Sequence, residues 1–107
     1  MNRLAAAVFM SLSLGAFAAG EPEFSISIEG HKFTPSRIEV PVGQKVKLLV
    51  ENKDPTPAEF ESAALKVEKV IPGKAKATIF VGPLKAGEYK FVDEYNEKTA
   101  KGVIVAK

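Results

Sequence analysis

The chain is 107 residues long, room for one domain, with 46% hydrophobic and 26% charged residues and a formal net charge of +2. It has no cysteine, which excludes a disulfide scaffold, a zinc finger, a c-type haem and any thiolate-ligated metal centre. The near balance of charge, with lysine far outnumbering arginine, argues against a nucleic-acid partner and against an arginine cluster for phosphates.

The first segment, MNRLAAAVFMSLSLGAFAAG, opens with one basic residue, Arg3, and runs apolar from Leu4 to Leu14. Small residues close it at Ala16-Phe17-Ala18. This pattern predicts a secretory signal peptide over residues 1–18 and a single mature domain over 19–107. The apolar run is too short to span a bilayer, so the mature chain is expected to carry no transmembrane span. Both methionines lie in the leader.

Glu23 to Glu29 alternates, with Phe24, Ile26 and Ile28 on one face, and reads as a half-buried strand. After Gly30, the residues Phe33, Ile38 and Val40 continue an extended series up to the Val42-Gly43-Gln44 turn. Val46, Leu48 and Val50 form the cleanest strand. Asn52 to Pro57 is turn chemistry throughout, stiffened by Pro55 and Pro57. The run from Ala58 to Ile71 reads as a helical turn around Ser62 to Leu65, followed by a short strand through Val67 and Val70. Past Pro72-Gly73-Lys74, a strand carries Ala77, Ile79 and Val81. Another spans Glu88 to Asp93 with Tyr89 and Phe91 on one side. A loop from Glu94 to Lys101 leads to a last strand through Val103 and Val105. About seven short strands, separated by Gly- and Pro-rich turns, predict an all-β antiparallel Greek-key sandwich.

The segments FTPSRIEVPVGQKVKLLVENKD and GEYKFVDEYNEKTAKGVIVAK resemble the first and last parts of the cupredoxins. By register on Tyr89-Lys90-Phe91, the resemblance implies that the family's copper-binding cysteine falls on Asp93 and its second histidine on Asn96. The first histidine falls near Ala58 or Glu59, and no methionine is available for the axial position. A type 1 blue-copper site is therefore not expected. The strings PAEFESAALKVEKVI and GPLKAGEYKFVDEYNEKTAKG are similar to the small periplasmic cupredoxin-like proteins associated with bacterial iron-uptake permeases. Many of these have Phe-His-x-x-Thr-Ala where this chain has Tyr95-Asn96-Glu97-Lys98-Thr99-Ala100. That resemblance implies iron or copper handling in the periplasm. The implied partners are an inner-membrane iron permease or a periplasmic metal-binding protein.

The residues themselves offer an acidic set. Glu59, Glu61, Glu68, Asp93 and Glu94 come from two segments that meet at one end of such a sandwich, and carboxylates suit iron, manganese or a weak Cu(II) site. Extended backbone puts Glu59 and Glu61 on one face. The plainer reading is that these are solvated loop charges, or that Glu59 pairs with Lys66 or Lys69. His31, the single histidine, is either an exposed surface residue or a further ligand at the same rim. No nucleophile elbow or aromatic-lined cleft points to catalysis, and no organic cofactor is expected. A hard-ligand site that favours Fe(III) leaves ferrous oxidation as an accessory role. The expected function is thus an exported metal-handling protein, with a metal-free interaction module as the alternative.

Overall fold

The computed structural model describes residues 20–107; the segment read as a signal peptide lies outside them. Among the described residues there are nine strands: β1 (Glu23–Ile28), β2 (Phe33–Thr34), β3 (Arg37–Val40), β4 (Val46–Asn52), β5 (Ala58–Ser62), β6 (Val67–Ile71), β7 (Lys76–Val81), β8 (Gly87–Asp93) and β9 (Lys101–Ala106). One sheet has the order β2-β1-β4-β7, the other β3-β9-β8-β5-β6. No helix among the described residues is long and apolar enough to cross a membrane.

The all-β sandwich expected from the alternation is what forms, with two refinements in strand count. The series from Phe33 to Val40 divides at Pro35-Ser36, so β2 completes one sheet while β3 crosses to the other. Proline has no N–H to give to a ladder, which favours the break there. The second refinement is β5. The helical turn expected around Ser62 to Leu65 is instead the end of a strand followed by a tight turn. Ser62 Oγ donates to the Lys90 carbonyl at 2.6 Å and accepts from the Leu65 amide at 3.0 Å. Alanines and a leucine favour helix locally, but pairing with two neighbouring strands outweighs that preference.

The sheets are mixed rather than purely antiparallel. β1 runs parallel to β4, and β3 parallel to β9. Once β3 has crossed to the opposite sheet, the chain returns as β4 in the same direction as β1.

Alternation decides what is buried. Val46, Leu48, Val50 and Asn52 face inward along β4, and Ala58, Phe60 and Ser62 face inward along β5. Three rings gather at the centre of the core. Phe60 stacks on Phe91 at 4.9 Å between centroids, and Phe33 meets Phe91 edge-on at 4.8 Å. Gly102 lies opposite Phe91 on β9. A Cβ there would run into the Phe91 ring and come within 2.9 Å of the Ser36 carbonyl, so the ring occupies space that only glycine leaves open.

Candidate metal centre

Strand pairing explains how the acidic residues come together. Inward-facing Ala58, Phe60 and Ser62 force Glu59 and Glu61 onto the outer face of β5. On the neighbouring β6, Glu68 is directly opposite Glu61. On the other side, Asp93 closes β8 opposite Phe60, and the next residue, Glu94, begins a short 3-10 turn beside Glu59. The result is a group of three carboxylates, Glu59, Glu68 and Glu94, each with an oxygen within 4.8 Å of the other two. Oxygens on opposite sides of one ion at about 2.4 Å are separated by about 4.8 Å, so the group is compact enough to share a cation.

Among the described residues, none of these carboxylates, nor Glu61, forms an ion pair with a lysine or arginine. The pairing of Glu59 with Lys66 or Lys69 considered from sequence does not form. Partial burial, the chief cause, pushes the Glu59 carboxyl above its ordinary value; the nearby charges of Glu94, Glu68 and Glu61, with a hydrogen bond to Glu94, add to it.

Asp93 plays a different part from these glutamates. Its side chain is buried, 1% exposed. Oδ1 accepts from the Glu59 amide at 2.9 Å and from the Tyr95 amide at 3.0 Å, and Oδ2 accepts from Asn96 Nδ2 at 3.1 Å. It therefore caps the 3-10 turn and ties it to β5, holding Glu94 beside Glu59. The spacing of Asp93 and Asn96 was the available sequence signal, because a short acceptor three residues before its partner is characteristic of a capped turn.

His31 lies at the same end of the sandwich but outside the three-carboxylate group. Its side chain is exposed, with Nε2 at 3.5 Å from Thr56 Oγ1 and 3.9 Å from Asp54 Oδ2. With Glu94 and residues 95–99 it borders an adjacent open depression of about 480 Å³. Glu94 is thus shared between the carboxylate group and the depression that His31 borders. Of the six residues singled out from sequence, three converge, Glu61 adjoins them, Asp93 supports them from below, and His31 stands apart.

The loop carrying His31 is held by two buried polar residues. Asp54 accepts from the Gly30 amide at 2.8 Å and the His31 amide at 3.0 Å. Both residues have positive φ, 62° and 57°, so the two amides converge on one carboxylate. Asn52 is fully buried; its amide reaches the Thr56 carbonyl at 2.9 Å and the Ile71 carbonyl at 3.1 Å, joining the β4–β5 loop to the end of β6. The hydrogen bond from the His31 amide, foremost, holds the Asp54 carboxyl below its ordinary value against the opposing effect of burial; Gly30 and the charges of His31 and Lys74 assist. Asp54→Ala is expected to cost about 1–2 kcal/mol at pH 7, the usual worth of such a charged cap. A depressed carboxylate contributes fully above its unfolded pKa and loses that contribution as pH falls through its folded pKa. The deficit of the variant should therefore shrink below pH 3.8, the ordinary value, which urea unfolding at pH 7 and in acid checks.

A family model described as a cupredoxin-like domain matches residues 2–106. A protein of Rickettsia prowazekii (strain Madrid E), named as uncharacterized, is 39% identical over 83 residues. The match covers 78% of this chain, which spans 66% of the length of that curated relative. Among solved structures, the metal-binding domain of the Streptococcus pneumoniae D39 Cu(I)-exporting P-type ATPase CopA, with Cu(I), is similar at a TM-score of 0.71. It is 17% identical, over 79% of this chain and 84% of that one. A copper-binding protein in its apo form gives 0.73 at 21% identity, over 84% and 91%. Auracyanin A, a blue copper protein of Chloroflexus aurantiacus, gives 0.70 at 14%, over 82% and 100%. At such identities the likeness is one of fold.

Proposed function

The chain belongs to the cupredoxin-like domain family, and from that premise we propose that it is an exported periplasmic metal carrier supporting iron uptake. Iron or copper is its cargo, taken on Glu59, Glu68 and Glu94. The observation that carries the reading is the convergence of three carboxylates with no lysine or arginine of the described residues paired to them. Like charges held together cost free energy unless protons or a cation neutralise them.

The residues do not fit a type 1 copper centre. No thiolate or thioether is available among the described residues, and the carboxylate at the position the family gives to cysteine, Asp93, is committed to three hydrogen bonds. Oxygen donors fit a hard or borderline ion instead, with Fe(III) favoured over Cu(I). The copper named for the solved relatives supports metal handling in general, while the donor set here argues for iron first and Cu(II) second. Because the group is on an outer sheet face, an ion held there is open to transfer to an inner-membrane permease or another periplasmic metal-binding protein. In this reading the protein is a carrier rather than an enzyme; tighter Fe(III) binding lowers the potential of the bound iron, so ferrous oxidation would still require an external one-electron acceptor such as dioxygen.

The second reading, a metal-free interaction module, is favoured by Asp93, whose hydrogen bonds complete the turn without an ion. Isothermal titration separates the two. The carrier should bind Fe(III), supplied as its nitrilotriacetate complex, Cu(II) or Mn(II) saturably, with a Kd below about 100 μM. Absence of saturable binding for all three ions would leave the interaction module as the better account.

A further inference from the structure

Charge on the outer face of the five-stranded sheet is grouped by position. Its β5–β6 side carries the glutamates described above. Its other side carries Arg37, Lys101 and Lys90, on β3, β9 and β8, with Glu39 and Glu88 in the next row along, flanking Val105. Arg37 pairs with Val103 on β9, and Val103 pairs with Lys90 on β8, so two cations flank one valine in a single row. Lys101 is two residues along β9 and hence on the same face. Neighbouring strands are about 4.8 Å apart, which separates the Arg37 and Lys90 Cα atoms by about 10 Å, a gap that two long side chains close easily.

The outcome is an open depression of about 350 Å³, lined by Ser36, Arg37, Lys90, Lys101, Gly102 and Val103 and by no carboxylate. Arg37 is the sole arginine among the described residues. It touches Glu39 at 3.4 Å, but both side chains are about half exposed and Glu39 is held more closely by Lys107, at 3.2 Å. Such a solvated pair is worth little and yields readily to a better partner. Lys90 and Lys101 form no ion pair among the described residues. Three cations therefore border one concavity whose floor is a valine.

We propose that this depression is a binding site for a small multivalent oxyanion of the polycarboxylate or phosphate class. The guanidinium of Arg37 makes the bidentate contact, and the two lysines neutralise the remaining charge. The site bears on the metal as well. Glu61 and Lys101 flank Val92 in one row, one strand away on either side, so their Cα atoms are about 10 Å apart. A metal arriving as a polycarboxylate chelate meets cations with its ligand and glutamates with its ion. This extension rests on the carrier reading; the oxyanion site does not.

The test is an NMR titration of the metal-free protein with citrate and, separately, inorganic phosphate, following backbone amides. Saturable shifts are expected at Arg37, Lys101, Gly102 and Val103, weakened about tenfold or more in R37Q/K101Q, the order of one lost charge-assisted contact. E59Q/E68Q should leave them in place. Citrate acting alone assigns the site to polycarboxylates, and equal action by phosphate assigns it to oxyanions at large; either supports the proposal. No saturable shift below about 10 mM would overturn it. Equal shifts around the remote Lys47 and Lys76, insensitive to R37Q/K101Q, would overturn it as well. Citrate binding together with failed titrations of the three ions would remove the carrier reading and leave the oxyanion site standing.

Discussion

The E59Q/E94Q variant is expected to bind Mn(II) or Fe(II) at least about a hundredfold more weakly than the parent while folding normally. Two of three converging carboxylates are then neutral, and a hard cation draws its affinity from anionic oxygen rather than from amide carbonyls. Neither side chain belongs to the core, so circular dichroism and thermal unfolding should report an intact sandwich. Without metal the variant should be at least as stable as the parent, because mutual repulsion among Glu59, Glu94, Glu68 and Glu61 is relieved.

The pH dependence has a definite sign. A carboxyl whose folded pKa is raised binds its proton more tightly in the folded state than in the unfolded chain. Between the ordinary value of 4.5 and that raised value, stability of the metal-free protein falls as pH rises, and Glu59→Gln should flatten this slope. Metal competes with the same proton, so affinity should decline on acidification through the window. Retention of parental affinity within about threefold in E59Q/E94Q would remove these residues from the site.

Asp93→Ala should lower stability by about 3 kcal/mol, because two part-buried backbone amides and one side-chain amide lose their buried acceptor together. For a domain of this size that corresponds to a fall of about 15 °C in Tm. Metal affinity should drop with it, since Glu94 loses the tie that keeps it beside Glu59. Asp93→Asn is the informative companion. Its remaining carbonyl oxygen can accept both backbone amides, so the cost should be only about 1 kcal/mol and metal affinity should be kept. If Asp93→Asn stayed stable yet lost metal binding, Asp93 would be a ligand and not a support.

The strands with strict alternation were legible in the sequence; β4, where every second residue is fully buried, is the clearest case. β5 was not, because Ala63, Ala64 and Leu65 follow it and favour helix, while the pairing that overrides them comes from β6 just past the turn and from β8 far along the chain. The site followed the same division. Glutamates in the right segments were visible, but register selects which of them meet. Glu94 joins Glu59 because Asp93 spends its carboxylate on two backbone amides, and nothing in the residue type distinguishes such a cap from a ligand. His31 shares the end of the sandwich with them, yet Asp54 fixes its loop by the backbone and leaves the imidazole outside the group.

The parallel pairing of β3 with β9 carries a kinetic consequence. Among the described residues β3 has no hydrogen-bonded neighbour other than β9, and Arg37 waits for Val103 across most of the domain. Such distant contacts pay their loop-closure entropy before they return any stability, which slows folding to the millisecond-to-second range typical of sandwiches. During synthesis, the second sheet cannot close until residues 101–106 have left the ribosome. Until then β3 and the β9-facing edge of β8 lack the partner they have in the finished fold.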